Sequence, residues 1–400
     1  MTASWKTFQL SERAANLPAS ATLALAAKAG ALRAEGKPVV NMTVGEPDFA
    51  TPQNIVDAAF RAVAEGATRY TPTAGTPALR QAVADLCSKC HGINLEPENV
   101  VVTPGGKFAL FSACQALLNP GDEVLIPAPY WVSYPRAVEL AGGVARAIPT
   151  SIGQHYLLTA KELEANLTHK VKLLILNSPS NPTGAGYGRK GLEKLAEVLA
   201  AHPQVRVLWD DIYRRLVYDH FEYVSPATVS DLAERCLFLD GVSKTYAMTG
   251  WRIGWAIGPK EVIAAMTRIQ GHATSNAAAV SQAAALEALT GPQDSVDHML
   301  LEFTRRRSLI MKLFGGIRGV RFVPPDGAFY LFCDVSAILD EQGGTDEELA
   351  DRILHEALVA AVPGTPFGAP GHLRFSFATS DENIEEAARR LKKMLGTASH

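Results

Sequence analysis

The sequence predicts an α/β protein with two parts: a large domain whose mostly parallel sheet is covered by helices, and a smaller α+β domain. From Asn99 to Leu239, short and nearly continuous apolar runs alternate with helical segments. This alternation is typical of parallel strands that are buried on both faces. Beyond about residue 290, strands separated by single helices replace the alternation, which indicates a second unit.

These patterns divide the chain into three parts. Residues 1–47 form an N-terminal arm and a segment that joins the small domain, residues 48–290 form the large domain, and residues 291–400 form the C-terminal small domain. At this length the chain can bury a substantial core. No period of 20 to 50 residues repeats, so we do not expect a solenoid.

The N-terminal part contains a short strand at Val39–Met42 that is preceded by an Ala-rich helix. Gly36 and Pro38 end that helix. Helices with apolar residues at i, i+3 and i+4 follow the strand. The predicted helices of this part and of the start of the large domain are Thr22–Glu35, Gln53–Glu65 and Thr76–His91.

The large domain continues with six short apolar strands, bounded by turn residues. They are Val100–Val102, Glu123–Ile126, Gly143–Ile148, Val171–Leu176, Val205–Trp209 and Cys236–Leu239. The first of them leads through a Gly-Gly turn into an apolar helix, Phe108–Leu118. The predicted elements of the small domain are helices at Ser295–Phe314, Asp346–Ala360 and Glu382–Leu395 and strands at Val320–Val323, Ala328–Val335 and Leu373–Ala378.

Composition favours small-molecule partners and a second copy of the chain. The net charge is −3 and the pI is about 6.4, so the sequence has no basic region for nucleic acid and no polybasic run for an anionic membrane. No apolar run reaches the about 18 residues of a membrane helix, and the N-terminus does not resemble a signal peptide. Five cysteines do not suggest a disulfide framework. We therefore expect a cytoplasmic protein.

Two motifs suggest other classes of protein. Cys87-Ser88-Lys89-Cys90-His91 has the spacing of covalent haem attachment. These residues end a helix, so we expect Cys90 in the core and His91 as a charge at the helix C-terminus. No other pattern supports a metal, and no G-x-S-x-G supports a serine hydrolase.

The second motif is Gly186–Gly191, a G-x-G-x-x-G pattern with Asp210 further on. It makes a nicotinamide-dependent oxidoreductase an alternative from a different class. In that fold the glycines follow the strand directly. Here a proline-punctuated loop intervenes after Leu176, so the pattern favours a surface turn into the next helix.

The most informative stretch is Ser243–Gly254, which lies just after the strand Cys236–Leu239. Lys244 has a hydroxyl before it and Arg252 eight residues later. A lysine in this position can form a Schiff base with an aldehyde cofactor, while the serine and the arginine hold that cofactor's phosphate. An ordinary loop with solvated charges is the alternative.

The sequence offers functional groups at four other places. Three of them follow predicted strand ends, where open α/β sheets bind ligands, and the fourth lies inside a strand. Gly105-Gly106-Lys107 opens a helix and can cradle a phosphate with its backbone N–H groups. Asp210 can pair with a protonated ring nitrogen, and Asn181 is fixed before a proline and can donate to a cofactor oxygen. Arg374 interrupts an apolar strand, which favours a bidentate carboxylate ligand. A plain helix start, a helix cap and a bare loop are the alternatives at the first three places.

These pieces together resemble the class I aminotransferases, the fold type I enzymes that use pyridoxal 5′-phosphate (PLP), over nearly the whole chain from Thr43 to Ser380. The resemblance is closest to the bacterial aspartate aminotransferase subgroup. The motifs occur in the family's order and spacing. They are Gly45–Phe49, Tyr70–Gly75, Gly105–Lys107, Pro129–Trp131, Asn177–Gly184, Asp210–Tyr213, Ser243–Gly254 and Arg374–Ser376.

The resemblance implies roles around the cofactor. Lys244 would hold PLP as a Schiff base and then shuttle a proton, Asp210 would face the pyridine nitrogen, Tyr213 and Asn181 would face the phenolic oxygen, and Tyr130 would stack on the ring. The phosphate would bind Ser243, Arg252, the Gly105-Gly106-Lys107 turn and Tyr70 of the neighbouring subunit. The shared Tyr70 implies a homodimer.

For the substrate, the resemblance implies that Arg374, helped by Asn181 and the Gly45 backbone, binds the α-carboxylate. Lys107 would bind the distal carboxylate of aspartate or glutamate, with 2-oxoglutarate as acceptor in ping-pong transamination. Aromatic or prephenate transamination and C–S β-elimination stay open, and a non-catalytic descendant that binds a carbohydrate or a regulator is disfavoured by the presence of Lys244.

The sequence departs from the family's pattern at three places near the expected site. Pro18–Thr22 lacks a lysine that many relatives have there. Trp209 and Arg214 stand where serine and glutamate are common, and Ala277 replaces a proline. Each departure puts the substrate expectation in doubt.

Overall fold

The computed structural model describes residues 8–15, 17–18 and 21–397. The departure at Pro18–Thr22 therefore lies partly outside the described residues, since Ala19 and Ser20 are not among them. In the described ranges, no helix has the length and apolar character that crossing a membrane requires.

The helices run in chain order from α1 to α14. They are α1 (Glu12–Ala15), α2 (Ala21–Ala34), α3 (Gln53–Ala64), α4 (Pro77–His91), α5 (Gly106–Leu117), α6 (Ser133–Leu140), α7 (Ala160–Asn166), α8 (Arg189–Ala200), α9 (Lys260–Ala273), α10 (Ala279–Thr290), α11 (Asp294–Phe314), α12 (Ser336–Gln342), α13 (Asp346–Arg352) and α14 (Asp381–Leu395).

The strands run from β1 to β13. They are β1 (Val40–Asn41), β2 (Val100–Thr103), β3 (Glu123–Ala128), β4 (Val144–Pro149), β5 (Val171–Asn177), β6 (Arg206–Asp210), β7 (Cys236–Gly241), β8 (Gly254–Ile257), β9 (Arg321–Phe322), β10 (Tyr330–Asp334), β11 (Val359–Ala360), β12 (Val362–Pro363) and β13 (His372–Ser376).

The large sheet has seven strands in the order β2-β8-β7-β6-β5-β3-β4. All neighbouring pairs are parallel except those of β8, which runs antiparallel to both β2 and β7. This confirms the predicted fold class. The sequence prediction missed β8, because its four residues follow the loop after β7 with only one short helical turn, Thr249–Trp251, before them.

The register of the central strands brings their carboxyl ends to one edge of the sheet. Asn177 at the end of β5 lies opposite Asp210 at the end of β6, and Asp210 lies opposite Leu239 on β7. The strands are buried along almost their whole length, so the core fixes this register. The loops that follow these strands therefore emerge side by side.

Two smaller sheets complete the fold. One is antiparallel with the order β12-β13-β10-β9. The other pairs β1 near the N-terminus in parallel with β11 near the C-terminus. Through this pairing, the N-terminal segment becomes part of the C-terminal half of the structure.

The predicted helix Asp346–Ala360 is wrong in its last three residues. Helix α13 ends at Arg352, one wide turn follows over Ile353–Ala357, and Leu358 adopts a left-handed conformation with φ 51°. The next residues form β11, which pairs with β1. A pairing with a strand more than 300 residues away overrides the local helical pattern.

Close backbone packing beside the sheet edge predicts an effect of Gly254→Ala on stability. An added Cβ would lie 2.3 Å from the Gly106 nitrogen and 2.7 Å from the Gly105 carbonyl carbon. Backbone must move to relieve the clash, which costs about 1–3 kcal/mol. Urea unfolding should show a lower midpoint for this variant. Gly188→Ala, whose Cβ meets no heavy atom within 4 Å, should keep the wild-type midpoint; equal losses in both variants would contradict the explanation.

Candidate active site

A cavity of about 500 Å³ opens at the carboxyl edge of the large sheet, between that sheet and the strand β13. Most of the residues predicted from the sequence line it together. They are Gly45, Gly106, Lys107, Asn181, Asp210, Tyr213, Ser243, Lys244, Arg252 and Arg374. Of the remaining predicted residues, Gly105 lies directly behind the lining, and Tyr130 and Tyr70 lie elsewhere.

Lys244 lies in the turn that follows β7, and its amine donates a hydrogen bond to the Gly45 carbonyl. Because the side chain faces the cavity, it keeps some exposure although protein surrounds it. Burial lowers the pKa of Lys244 to about 8; Glu46 opposes the shift, while Arg374 and Arg252 add to it. A neutral amine is therefore accessible close to neutral pH.

Asp210 is the last residue of β6 and is buried. Its Oδ2 accepts a hydrogen bond from the Tyr134 hydroxyl at 2.7 Å, and its Oδ1 accepts one from the Ile212 N–H at 3.1 Å. Burial raises the pKa of Asp210 to about 6, against the lowering effect of these two donors. The carboxylate is thus ionised above about pH 6 and fixed in orientation.

Sequence reasoning missed Tyr134, which is buried on α6. Its signal was its position three residues after Trp131 in a run that was already singled out. Only the packing of α6 against the sheet shows that its hydroxyl reaches Asp210.

One end of the cavity offers a concave surface of backbone N–H groups and cations. Gly105 caps α5 with φ 84°, and a Cβ there would lie 2.5 Å from Nη2 of Arg252. The strand β8 approaches the same turn equally closely, because a Cβ on Gly254 would lie 2.3 Å from the Gly106 nitrogen. A helix start without side chains, beside a guanidinium, forms an anion site.

Arg374 lies on β13 and is only 2% exposed. Its Nη1 donates to Oδ1 of Asn181 at 2.9 Å and its Nη2 to the Thr43 carbonyl at 2.8 Å. The guanidinium also faces the Tyr330 ring, 4.4 Å from its centre. Both hydrogen-bond partners are uncharged, and Nε has no partner among the described residues, so the buried cation is left to pair with an anion from the cavity.

The prediction for Tyr130 needs a correction, because the structure places this residue beside a different and much smaller cavity. Its N–H donates to the Phe367 carbonyl at 3.0 Å, and its ring packs against Gly368, where a Cβ would lie 2.8 Å from it. Tyr130 is not among the residues that line the main cavity. The next residue, Trp131, lines the main cavity instead.

Tyr213 and Lys107 lie in the cavity with neighbours that were not predicted. The Tyr213 hydroxyl is 2.9 Å from the Tyr330 hydroxyl, and the Lys107 amine is 5.2 Å from the centre of the Trp131 ring. Lys107 therefore reaches the cavity mouth with its charge held over an aromatic face.

Tyr70 does not line the cavity of its own chain, and its side chain is 89% exposed. The departures at Trp209, Arg214 and Ala277 also lie outside the lining. Arg214 pairs with the buried Asp240 at 3.0 Å. This ion pair compensates the charge of Arg214 at Asp240, which itself lines the cavity.

The donor set fits PLP by its chemistry. A lysine amine, an ionised aspartate, a phosphate-type anion site and an unpaired buried arginine line one cavity, which matches the aldehyde, ring nitrogen, phosphate and substrate carboxylate that a PLP complex presents. A side chain at position 105 would clash with the Arg252 guanidinium, so the glycine lets this cation lie beside the start of α5, where an anion can bind.

Fold and site together define the class: an α/β enzyme with a lysine amine and a buried aspartate in one cavity at the carboxyl ends of parallel strands. The chain belongs to the family Aminotransferase class I and II, which matches residues 37–391. Members of this family use PLP. As a member of an aminotransferase family with aspartate aminotransferases among its relatives, the chain is a transaminase.

Two similar curated proteins match over almost their full lengths. The aspartate aminotransferase of Bacillus sp. (strain YM-2) is 44% identical, with 96% of this chain and 99% of that protein covered. The aspartate/prephenate aminotransferase of Cereibacter sphaeroides is 45% identical, with 96% and 98% covered.

Solved structures agree with this. The crystal structure of the Rhizobium meliloti aspartate aminotransferase is 40% identical, with a TM-score of 0.94 over 98% of this chain and 100% of that one. The Thermus thermophilus aspartate aminotransferase with maleate is 42% identical, with a TM-score of 0.92 over 97% and 100%.

The lowered pKa of Lys244 predicts a pH dependence of the stability of the cofactor-free protein. The folded chain holds this pKa at about 8, whereas an unfolded lysine titrates near about 10.4. Between these values the unfolded chain binds more protons, so stability should rise with pH across this window. Lys244→Met should remove that contribution.

The measurement is the urea midpoint of both cofactor-free proteins as a function of pH. Below about pH 7, where both states of Lys244 are charged, the two curves should run parallel. If the two curves stayed parallel through the whole alkaline range, burial would not lower the pKa of Lys244, and the explanation would be wrong.

Proposed function

We propose that this protein is a PLP-dependent aminotransferase that moves an amino group between aspartate or glutamate and a 2-oxo acid such as 2-oxoglutarate. The observation that carries the proposal is the convergence of Lys244, Asp210 and Arg374 on one cavity. They come from a loop, a strand of the large sheet and a strand of the small sheet. Lys244 supplies an amine that can be neutral, Asp210 a negative charge and Arg374 a positive charge.

The cofactor would be held at both of its ends. Ser243, Arg252 and the N–H groups of the Gly105-Gly106-Lys107 turn would bind the phosphate, and Lys244 would bind the aldehyde carbon. Tyr213 and Asn181 would face the phenolic oxygen. We assign the ring contact to Trp131 in place of Tyr130, because Trp131 lines the cavity.

Bound PLP supplies the electron sink for the carbanion that forms at the substrate Cα. The Asp210 carboxylate would keep the pyridine nitrogen protonated. Tyr134 and the Ile212 N–H donate to this carboxylate and orient it for that task. The neutral Lys244 amine takes the proton from Cα and returns it in the next step. Its depressed pKa keeps that amine unprotonated in a useful pH range.

Arg374 would bind the substrate α-carboxylate, with Asn181 and the Gly45 backbone beside it. The guanidinium is already oriented by Asn181 and Thr43 and stacked on Tyr330. Little conformational freedom is lost when the carboxylate binds, so the contact also positions Cα for proton transfer.

Lys107 would bind the distal carboxylate, which favours dicarboxylate substrates. The names of the Bacillus and Thermus proteins, and the maleate in the Thermus structure, support this choice. The Cereibacter protein also carries prephenate in its name, and Trp131 at the cavity supplies an aromatic wall. Prephenate-type substrates are therefore the second candidate, and transaminase names among the relatives favour transamination over C–S β-elimination.

We also propose a homodimer in which Tyr70 contacts the phosphate of the neighbouring site. Its 89% exposure leaves the hydroxyl available to a second chain. Residues 48–290 would form the cofactor-binding domain, and residues 1–47 with 291–400 the smaller parts. The pairing of β1 with β11 supports that grouping. The cytoplasmic location stays a prediction.

Replacement of Arg374 tests the carboxylate contact. Arg374→Ala removes a buried, charge-assisted pair worth about 2–5 kcal/mol, so kcat/KM for aspartate should fall by roughly 30-fold or more. Arg321→Ala, on the same sheet with a 63% exposed side chain, is the control and should stay near wild type. Steady-state kinetics with matched PLP content decide the outcome, and similar losses in both variants would count against the role of Arg374.

Replacement of Lys107 tests the substrate class. Lys107→Ala should lower kcat/KM for aspartate by about 10- to 100-fold, the range for a lost hydrogen bond to a charged group, and leave alanine unaffected. Single-turnover spectra with aspartate, alanine and phenylalanine measure the selectivity, and Lys190→Ala on the surface is the control. If Lys107→Ala kept its selectivity for aspartate over alanine, Lys107 would not bind the distal carboxylate. If phenylalanine but not aspartate changed the cofactor spectrum of the wild-type protein, the dicarboxylate proposal would be wrong.

A further inference from the structure

Behind Asp210, three residues of α4 form a cluster that transamination does not use. Cys87, Cys90 and His91 occupy positions i, i+3 and i+4, which lie on one face of a helix. One donor atom from each lies within 4.8 Å of the other two. The sequence predicted Cys90 in the core and His91 as a terminal charge. Cys90 is half-buried against the core, whereas His91 is 1% exposed and Cys87 is fully buried.

A carboxylate in the loop after β6 lies beside His91, although it is not among the donors that all lie within 4.8 Å of one another. Asp211 is 1% exposed, and its Oδ1 accepts from Trp209 Nε1 at 2.6 Å and from the Tyr223 hydroxyl at 2.7 Å. Among the described residues its Oδ2 has no hydrogen-bond partner, and it lies 3.6 Å from Nε2 of His91. Burial raises the pKa of Asp211 to about 7, and the charges of His91 and Arg214 lower it. A further cation beside this oxygen would keep the buried carboxylate ionised.

The imidazole is already oriented for a ligand. Nδ1 of His91 lies 2.9 Å from the Ser225 hydroxyl, which leaves Nε2 directed at Asp211. Two donors about 2.1 Å from a shared tetrahedral ion are about 3.4 Å apart. The observed separation of 3.6 Å is close to that spacing.

The surroundings favour a thiolate at one of the two cysteines only. The contact with Cys87 lowers the pKa of the Cys90 thiol, whereas the same contact and burial raise the pKa of Cys87 well above its ordinary value, so the ion itself has to displace the Cys87 proton. Cys90 is also the partly exposed member of the cluster, which gives an ion a path from solvent.

We propose that Cys87, Cys90, His91 and Asp211 bind one divalent metal ion of the zinc type in a tetrahedral site. Two thiolates, an imidazole and a carboxylate form a donor set that suits Zn²⁺. Binding forms two metal–sulfur bonds and releases the two thiol protons to solvent, with no change of oxidation state. The ion would tie α4 to the loop that directly follows Asp210, and the site is independent of the proposed substrate.

The rival occupant of the space beside Asp211 is a proton on His91. Burial lowers the pKa of His91, but Cys90 and Asp211 together raise it above its ordinary value. A protonated His91 would satisfy Asp211 without a metal, and the experiment has to separate these two cases.

The test uses the reduced holoenzyme, first treated with a chelator and then dialysed against Zn²⁺ or Co²⁺. Elemental analysis should find one metal ion per chain, and the Co²⁺ form should show the strong visible bands of a tetrahedral thiolate complex. Cys90→Ser should lose both signals. Cys333→Ser, which removes a buried thiol outside the cluster, is the matched control and should keep them.

A second variant tests the orientation of the imidazole. Ser225→Ala removes the outer partner of His91 and should weaken Zn²⁺ binding by about 10- to 100-fold without changing the Co²⁺ band pattern at saturation. The proposal fails if wild type binds no stoichiometric metal, if Co²⁺ gives only the weak bands of oxygen and nitrogen ligands, or if Cys90→Ser binds as tightly as the control.

Discussion

The site depends on the desolvation of three ionisable groups at one edge of a parallel sheet. Lys244, Asp210 and Arg374 face one cavity, and protein that surrounds them raises the energy of each charged form. The consequences differ: Lys244 moves towards its neutral form, Asp210 keeps its charge through two donors, and Arg374 stays charged with only uncharged partners. A cofactor and a carboxylate substrate supply the missing counter-charges, so binding relieves the cost of building the site.

The large sheet makes this arrangement possible because its register aligns the ends of three strands. Asn177, Asp210 and the turn after β7 are adjacent for that reason. The antiparallel β8 adds the close approach of Gly254 to the start of α5. Arg252 lies in the same turn as Lys244, so one segment supplies both the amine and a cation for the phosphate end.

Sequence patterns predicted the fold class and most of the cavity lining because those features are local. Buried strands show as apolar runs, and Lys244, Asp210 and Arg374 stand out since charges rarely follow or interrupt such runs. Features that depend on distant contacts were not predictable. The strand β11 forms only through pairing with β1, and only side-chain packing shows that Trp131 faces the cavity and Tyr130 does not. The contact of Asp211 with His91 likewise joins two segments 120 residues apart.

The central claim is that Lys244 is the covalent anchor of PLP. Purified protein reconstituted with PLP should be yellow, and borohydride should bleach the chromophore and fix it to a single peptide. Mass spectrometry should place the modification on Lys244, and Lys244→Ala should show no fixed label while keeping its fold by circular dichroism. A label on any other lysine, or equal labelling of the variant, would contradict the account.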